Sequence, residues 1–324
     1  MCTSVSFKTS AHYFGRNLDI DYNYNEAVTV TPRNFCFRFK FLPDIHSHYA
    51  IIGMSTVIDG YPLYYDATNE QGLSIAGLSF EGNAFYNSEQ EGKINVASFE
   101  LIPFILCKCE KVSDAERLLK NINITNTNFS DLYPATELHW MISDRNRTIT
   151  VEQTVLGLKV YKNPVGILTN NPPFDIQMFN LNNFLSLSNK TPENLFSQKL
   201  DLQVYSRGMG AIGLPGDLSS VSRFVRAVFT LHNSVCDNYE FTSVNQFFHI
   251  LDSVSQKRGL VLLDNKKYEI TVYSSCTNTD EGIYYYKTYD NSAVNFVDMK
   301  KENLNGTKLA VYPLKTEPQF FAQN

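Results

Sequence analysis

The chain has 324 residues, of which 43% are hydrophobic and 19% charged, so it can bury a large core and is not intrinsically disordered. A net charge of −5, with Lys and Arg scattered along the chain, excludes the basic surface that nucleic-acid binding requires. No segment approaches the roughly 18 apolar residues of a membrane span. The first residues carry no export signal, so we expect a cytoplasmic protein that does not enter a membrane.

Short segments typical of strands dominate the first half of the chain. Alternating apolar and polar residues, or short apolar runs, predict strands over residues 3–8, 28–31, 49–54, 73–78, 138–143, 148–153, 158–161, 268–273, 283–288 and 294–297. Helices are predicted over 97–107, 113–121, 174–186, 220–232 and 243–254. We expect a single α+β domain over residues 1–324, with antiparallel sheets carrying helices on their outer faces.

Two of these helices carry more specific predictions. Ser113 and Glu116 have the spacing of a capping box, which would start the second helix. In the helix over 220–232 the apolar residues follow a helical period, and Arg223 falls on the opposite face.

Neither the cysteines nor the glycines indicate a cofactor. The six cysteines lack the spacing of a zinc site, so we expect free thiols. Gly208, Gly210 and Gly213 match a dinucleotide-binding spacing, but no strong strand precedes them and Pro215 follows, so we interpret the segment as a loop. The sequence therefore predicts no metal and no cofactor.

Cys2 has a special position in the chain. A small second residue favours removal of the initiator Met1, which would leave a thiol and a free α-amine on one residue. Such an amine has a pKa of roughly 7.7–8.0 and can act as a general base for its own side chain. Taken alone, this position favours an accidental cysteine after Met1.

Two further polar segments could support such a nucleophile. Arg16 and Asp19 lie close to one another, and a guanidinium beside a thiol favours the thiolate. Asn170 follows a predicted strand and precedes two prolines, where a rigid amide could donate to an oxyanion. Each also has an ordinary interpretation, as a surface ion pair or as an Asn turn.

Taken together, these segments resemble the choloylglycine hydrolases, which are the bile salt hydrolases and the related penicillin V acylases. The resemblance covers nearly the whole chain and rests on MCT at 1–3, GRNLD at 15–19, NEQGL at 69–73, LHW at 138–140, LTNNP at 168–172, GLPGD at 213–217, SRF at 222–224 and IYYYKTYD at 283–290. It implies an N-terminal-nucleophile αββα sandwich, with two antiparallel sheets between helical layers.

The resemblance also implies roles for individual residues. Cys2 is the expected nucleophile with its amine as base, Arg16 and Asp19 support it, Asn170 is an oxyanion donor, and Arg223 completes the polar cluster. The expected substrates are bile salts conjugated to glycine or taurine, and family members are commonly homotetramers.

Ser79 is a departure from the family pattern. Bile salt hydrolases usually carry Asn at this position of the oxyanion hole, and penicillin V acylases typically carry Tyr. Penicillin V acylase activity therefore stays open as the main alternative to bile salt hydrolysis. A papain-like protease and a non-catalytic binder of amphiphiles are further alternatives, although no papain-type cysteine motif occurs.

The resemblance further predicts the residues that contact the substrate. The positions expected to bind the acyl group are Leu18, Ile58, Tyr65, Phe129 and Tyr133, which are apolar or aromatic. Arg207 lies in the loop expected near the amine half, where its fork of donors would suit the sulfonate of taurine. An exposed loop arginine that contacts nothing is an equally good interpretation of Arg207.

Overall fold

The computed structural model describes residues 1–21 and 23–324. The strands are β1 (Cys2–Lys8), β2 (His12–Ile20), β3 (Ala27–Thr31), β4 (Ile51–Ile58), β5 (Tyr61–Asn69), β6 (Ser74–Ser79), β7 (Ile94–Ala97), β8 (Ile122–Thr125), β9 (Leu138–Ser143), β10 (Thr148–Thr154), β11 (Gly157–Lys162), β12 (Ile167–Leu168), β13 (Ile270–Asn278), β14 (Ile283–Thr288), β15 (Asn295–Asp298) and β16 (Ala310–Pro313). The α-helices are α1 (Leu101–Lys108), α2 (Val112–Leu119), α3 (Phe174–Asn180), α4 (Ser220–His232) and α5 (Glu240–Asp252).

Most strands belong to two antiparallel sheets. One sheet has six strands in the order β12-β1-β2-β13-β14-β15, and the other has eight in the order β11-β10-β9-β6-β5-β4-β3-β16. Strands β7 and β8 form a separate parallel pair. Strands β1 and β2 at the centre of the smaller sheet contact β6 of the larger sheet, so the two sheets face each other.

Helices cover the outer face of each sheet. Helix α1 packs on β5 and β6, and the buried apolar residues of α1 and α2 form one core cluster with the eight-stranded sheet. Helices α4 and α5 pack on β1, β2, β12 and β13, where a second cluster forms. This layered arrangement confirms the predicted αββα fold class. None of the helices in residues 1–21 and 23–324 is long and apolar enough to cross a membrane.

Several predicted elements differ from the structure. Strand β2 was not predicted, because its buried polar residues hide the apolar alternation. The capping box at Ser113 and Glu116 is wrong, since α2 begins one residue earlier and its first amide, from Val112, donates to Asp144 Oδ2 at 2.7 Å. The predicted helix over 174–186 ends as α3 at Asn180 and continues as a short 3₁₀ turn.

His12 begins β2 at the end of the sheet remote from Cys2, and it is buried there. The Thr279 hydroxyl donates to the backbone oxygen of His12, so it accepts from His12 Nδ1, 2.9 Å away. His12 Nε2 then accepts a hydrogen bond from Ser6 Oγ at 3.0 Å. Burial lowers the pKa of His12 from 6.5 to about 4, so the folded protein holds the ring neutral.

This burial predicts a pH dependence of stability. Between pH 6.5 and about 4 the unfolded chain binds a proton at His12 that the folded chain does not, so the free energy of unfolding falls as the pH falls. The full effect is about 3 kcal/mol. We expect His12→Asn to flatten the slope in urea denaturation over this pH range. His46→Asn, which changes an exposed histidine, should keep the wild-type slope, and equal slopes in both variants would contradict the assignment.

Candidate active site

The pairing of β1 with β2 places the cysteine beside the arginine. Cys2 lies opposite Leu18, and Ser4 lies opposite Arg16. Because side chains alternate between the two faces of a sheet, Cys2, Arg16 and Leu18 project from the same face. That face is turned toward the eight-stranded sheet, since Arg16 Nη1 donates to the backbone oxygen of Tyr65 at 3.0 Å and to that of Gly77.

Arg16 is fully buried, and every nitrogen of its guanidinium has an acceptor. Nε donates to the backbone oxygen of Asn17 at 3.3 Å, and Nη2 donates to Cys2 Sγ at 2.6 Å. Fixed carbonyl groups on two strands of the other sheet therefore orient the guanidinium toward the sulfur. A positive charge in this position stabilises a thiolate on Cys2.

Arg223 reaches the same residues from the opposite face of the sheet. Its Nη1 donates to the backbone oxygen of Cys2 and to Thr3 Oγ1, both at 2.6 Å, and lies 3.9 Å from Asp19 Oδ2. The side chain is 0% exposed, so its expected place on the polar outer face of the helix is wrong. Helix α4 turns Arg223 inward because the backbone oxygen of Cys2 and the side-chain oxygens of Thr3 and Asn170 accept its hydrogen bonds, and the carboxylate of Asp19 lies near its charge.

Asn170 connects the cysteine to Ser79. Its Oδ1 accepts from the backbone nitrogen of Cys2 at 2.8 Å and from Arg223 Nη2 at 2.7 Å. Its Nδ2 donates to the backbone oxygen of Ser79 at 2.8 Å, which leaves one amide hydrogen for another acceptor. Ser220 Oγ accepts from the Asn170 backbone nitrogen at 2.8 Å and fixes this end of β12 against α4.

Asp19 lies beneath the chain terminus. The Thr271 hydroxyl donates to its Oδ1 at 2.6 Å, while Oδ2 is buried and has no hydrogen-bond partner in the described part of the chain. Burial raises the pKa of Asp19, and the positive charges of Arg223 and the terminal amine oppose that shift. The terminal amine of Met1 donates to the backbone oxygen of Asp19 at 2.6 Å and pairs with the buried Glu269.

Asp66 is a member of this network that sequence reasoning missed. It accepts from the hydroxyl groups of Tyr273 and Tyr284, both at 2.7 Å, and from Ser275 Oγ at 3.1 Å. Ser275 Oγ also accepts from the backbone nitrogen of Arg16. Burial raises the pKa of Asp66, while Arg16 acts in the opposite direction. The only signal in the sequence was one carboxylate inside the otherwise uncharged strand β5.

A cavity of about 420 Å³ opens beside Cys2 between the sheets. It is lined by four of the predicted acyl-binding residues, Leu18, Tyr65, Phe129 and Tyr133, together with Ser79 and Arg16. Ile58 is not among the lining residues, since it lies at the far end of β4, paired with Tyr61. Arg207 is also not among them and lies exposed in the loop before α4.

One group of metal-capable side chains occurs in residues 1–21 and 23–324. Cys36, Asp44 and His46 place their ligand atoms within 4.8 Å of one another at the surface. None of the three lines the cavity beside Cys2.

Comparisons with known proteins agree with this geometry. Residues 2–312 match the model of the linear amide C–N hydrolases, choloylglycine hydrolase family. The chain is 51% identical over 324 residues to a bile salt hydrolase/transferase from Lactiplantibacillus plantarum, with all of both chains covered. It is 39% identical over 318 residues to a bile salt hydrolase/transferase from Clostridium perfringens, with 96% of each chain covered.

Solved structures of other proteins superpose on this chain and have the same fold. A crystal structure of a variant of the conjugated bile acid hydrolase from Clostridium perfringens superposes with a TM-score of 0.92 at 36% identity, covering all of both chains. A penicillin V acylase from Agrobacterium tumefaciens superposes with a TM-score of 0.74 at 19% identity, covering 96% of this chain and 90% of the acylase, which shows the shared fold. The chain therefore belongs to the choloylglycine hydrolase family of linear amide C–N hydrolases.

Proposed function

We propose that the chain hydrolyses bile acids conjugated to glycine or taurine, with Cys2 as the nucleophile and an acyl-enzyme intermediate. The observation that carries the proposal is the contact between Arg16 and Cys2 Sγ at the end of a largely apolar cavity. Two relatives, one 51% identical over the whole chain and one 39% identical over nearly all of it, are named bile salt hydrolase/transferases. This similarity favours the same substrate class for the present chain.

The cavity suits a rigid, apolar acyl group. It is lined by four leucines and six aromatic residues, which are Leu18, Leu63, Leu132, Leu138, Tyr24, Tyr64, Tyr65, Phe99, Phe129 and Tyr133. Burying apolar surface stabilises a complex by roughly 25 cal/mol per Å², so a steroid gains more from this cavity than a small acyl group does. The carboxyl carbon of such a ligand would then lie at Cys2 Sγ.

In the first chemical step Cys2 Sγ attacks the amide carbon, and an S–C bond forms as the carbonyl oxygen becomes an oxyanion. Arg16 stabilises the thiolate before the attack, because its Nη2 donates to the sulfur. The second amide hydrogen of Asn170 Nδ2 can donate to the oxyanion. The C–N bond then breaks, and the leaving amine takes the proton that the α-amine of Cys2 received from the thiol.

In the second step water hydrolyses the thioester. The α-amine of Cys2 accepts a proton from the water as it attacks, the S–C bond breaks, and the free bile acid leaves. Asp19 supports this amine as a positioning residue, because its buried Oδ2 lacks a donor and lies on the strand next to the terminus. Arg223 holds the backbone oxygen of Cys2 and the side-chain oxygen of Asn170 in place.

The proposal extends to location and assembly. We propose that the enzyme acts in the cytoplasm, in line with its six cysteines, none of which forms a disulfide, and that it is a homotetramer, in line with the resemblance to its family. Arg207 as a determinant of taurine preference stays a prediction, which its exposed position outside the cavity lining makes weaker.

A substrate panel with a nucleophile variant tests the activity. We expect the enzyme to release glycine from glycocholate and taurine from taurocholate faster than it cleaves penicillin V. Cys2→Ser should abolish turnover while the protein stays folded, because a hydroxyl is a far weaker nucleophile than a thiolate. Cys236→Ser, which changes another free thiol, should retain activity. Turnover of penicillin V without turnover of either conjugate would assign the alternative activity.

Removal of Met1 is expected to be obligatory. With Met1 present the nitrogen of Cys2 is an amide that donates to Asn170, so it has no basicity to offer, and Met1 itself lines the cavity. Protein expressed with its methionine aminopeptidase inhibited should be inactive, while the mature form should show a mass that begins at Cys2. Full activity in a sample whose mass retains Met1 would refute the base assigned to the reaction.

Arg223 should affect the rate through geometry more than through charge. Arg223→Lys keeps a positive charge near Asp19 but loses the fork of donors that holds Cys2 and Asn170. We expect kcat to fall by about 10²-fold with little change in KM, close to the loss of an oxyanion donor. The matched control is Arg226→Lys, since Arg226 also donates to backbone oxygens, those of Ser253 and Pro215, but outside the cluster. Equal losses in both variants would contradict the role of Arg223.

A further inference from the structure

One wall of the cavity is built from packed aromatic rings. Phe99 and Phe129 meet edge to face with their centroids 5.3 Å apart, and Tyr133 packs on Phe129 at 6.3 Å. Tyr61 supports both phenylalanines from behind, at 6.1 and 5.7 Å. This wall offers a ligand large apolar surfaces that are fixed in place.

Ser98 interrupts this apolar wall with a hydroxyl group. It lines the cavity next to Phe99, is 2% exposed, and its Oγ has no hydrogen-bond partner among the residues that the structure describes. Leaving a buried hydroxyl unpaired is unfavourable, so such a group in a binding cavity indicates a partner on the ligand.

Two polar groups on this side of the protein are engaged elsewhere, and the hydroxyl of Tyr61 is also buried and unpaired in the described residues but does not line the cavity. The carboxylate of Glu100 accepts from the backbone nitrogens of Lys40 and Ala97, at 2.7 and 3.1 Å. Thr56 Oγ1 and the Tyr65 hydroxyl are 2.9 Å apart and bond to each other. The cavity therefore contains one buried, unpaired side-chain hydroxyl, that of Ser98, in the part of the chain with described contacts.

We propose that Ser98 determines specificity by binding a ring hydroxyl of the acyl group. This inference rests on the proposed function, since it assumes that the acyl group of a conjugated bile acid occupies the cavity. With the amide carbon at Cys2 Sγ, the rigid ring system occupies the rest of the cavity, whose lining includes Ser98. A substrate hydroxyl can both donate and accept, and Ser98 Oγ can pair with it in either direction.

The unpaired hydroxyl of Ser98 distinguishes substrates that carry a ring hydroxyl from those that lack it, and does not bind all substrates equally. A substrate with a hydroxyl at that position satisfies both groups, whereas a substrate without it leaves Ser98 buried and unpaired. Replacing Ser98 with alanine removes the unpaired group, so substrates that lack the hydroxyl lose nothing in the variant. The structure thus assigns to Ser98 an effect on the ratio between substrates.

The test compares kcat/KM for glycine conjugates that differ only by single ring hydroxyl groups. In Ser98→Ala we expect the preference for the hydroxylated member of one such pair to fall by roughly 3- to 10-fold, the loss of one hydrogen bond. Ser98→Cys, whose thiol is a weak donor of similar shape, should give an intermediate ratio. Thr316→Val removes an exposed hydroxyl outside the cavity and should leave every ratio unchanged.

The possible outcomes separate the two proposals. If the wild-type enzyme hydrolyses none of the conjugates, the proposed function fails and this inference fails with it. If the wild-type enzyme hydrolyses them but Ser98→Ala leaves every ratio within twofold, or slows all substrates equally, only the inference about Ser98 is overturned. A selective change in one ratio, graded from serine through cysteine to alanine, supports it.

Discussion

The buried guanidinium of Arg16 is the constraint on which the site depends. A charge inside a protein is tolerated only when its hydrogen bonds are satisfied and an opposite charge is near. Arg16 meets both conditions, because carbonyl groups of β5 and β6 accept from it and Asp66 lies in the network behind it. Arg16 therefore joins the two sheets at one position, where its Nη2 donates to the sulfur of Cys2.

The same constraint divides the polar groups between the two faces of the first strand. Cys2 projects between the sheets with Arg16, while Thr3 projects toward α4 with Arg223. The reactive sulfur thus faces a cavity, and the main chain that carries it is held from behind. A nucleophile at a chain terminus needs such an anchor, because terminal residues are otherwise among the least ordered parts of a protein.

The sequence indicates which residues belong to the polar cluster around Cys2, but it does not indicate how all of them pack. Cys2, Arg16 and Asp19 lie on two adjacent strands, so their proximity follows from one short connection. Arg223 was placed on the wrong face, since apolar periodicity cannot show that an arginine is buried by distant acceptors. Ile58 and Arg207 fall outside the cavity lining, because the ends of strands and long loops are positioned by contacts that no local pattern encodes. Asp66 was missed for the same reason.

The bonds of Asn170 explain how a serine can stand at position 79, where the family resemblance leads us to expect a larger side chain. Two donors, the nitrogen of Cys2 and the guanidinium of Arg223, fix the amide oxygen, so the amide nitrogen must point toward Ser79. It meets the backbone oxygen of Ser79, which every residue type provides. The orientation of Asn170, the proposed oxyanion donor, is thus independent of the side chain at that position. That side chain is left to shape the cavity, where a serine occupies less space than an asparagine or a tyrosine.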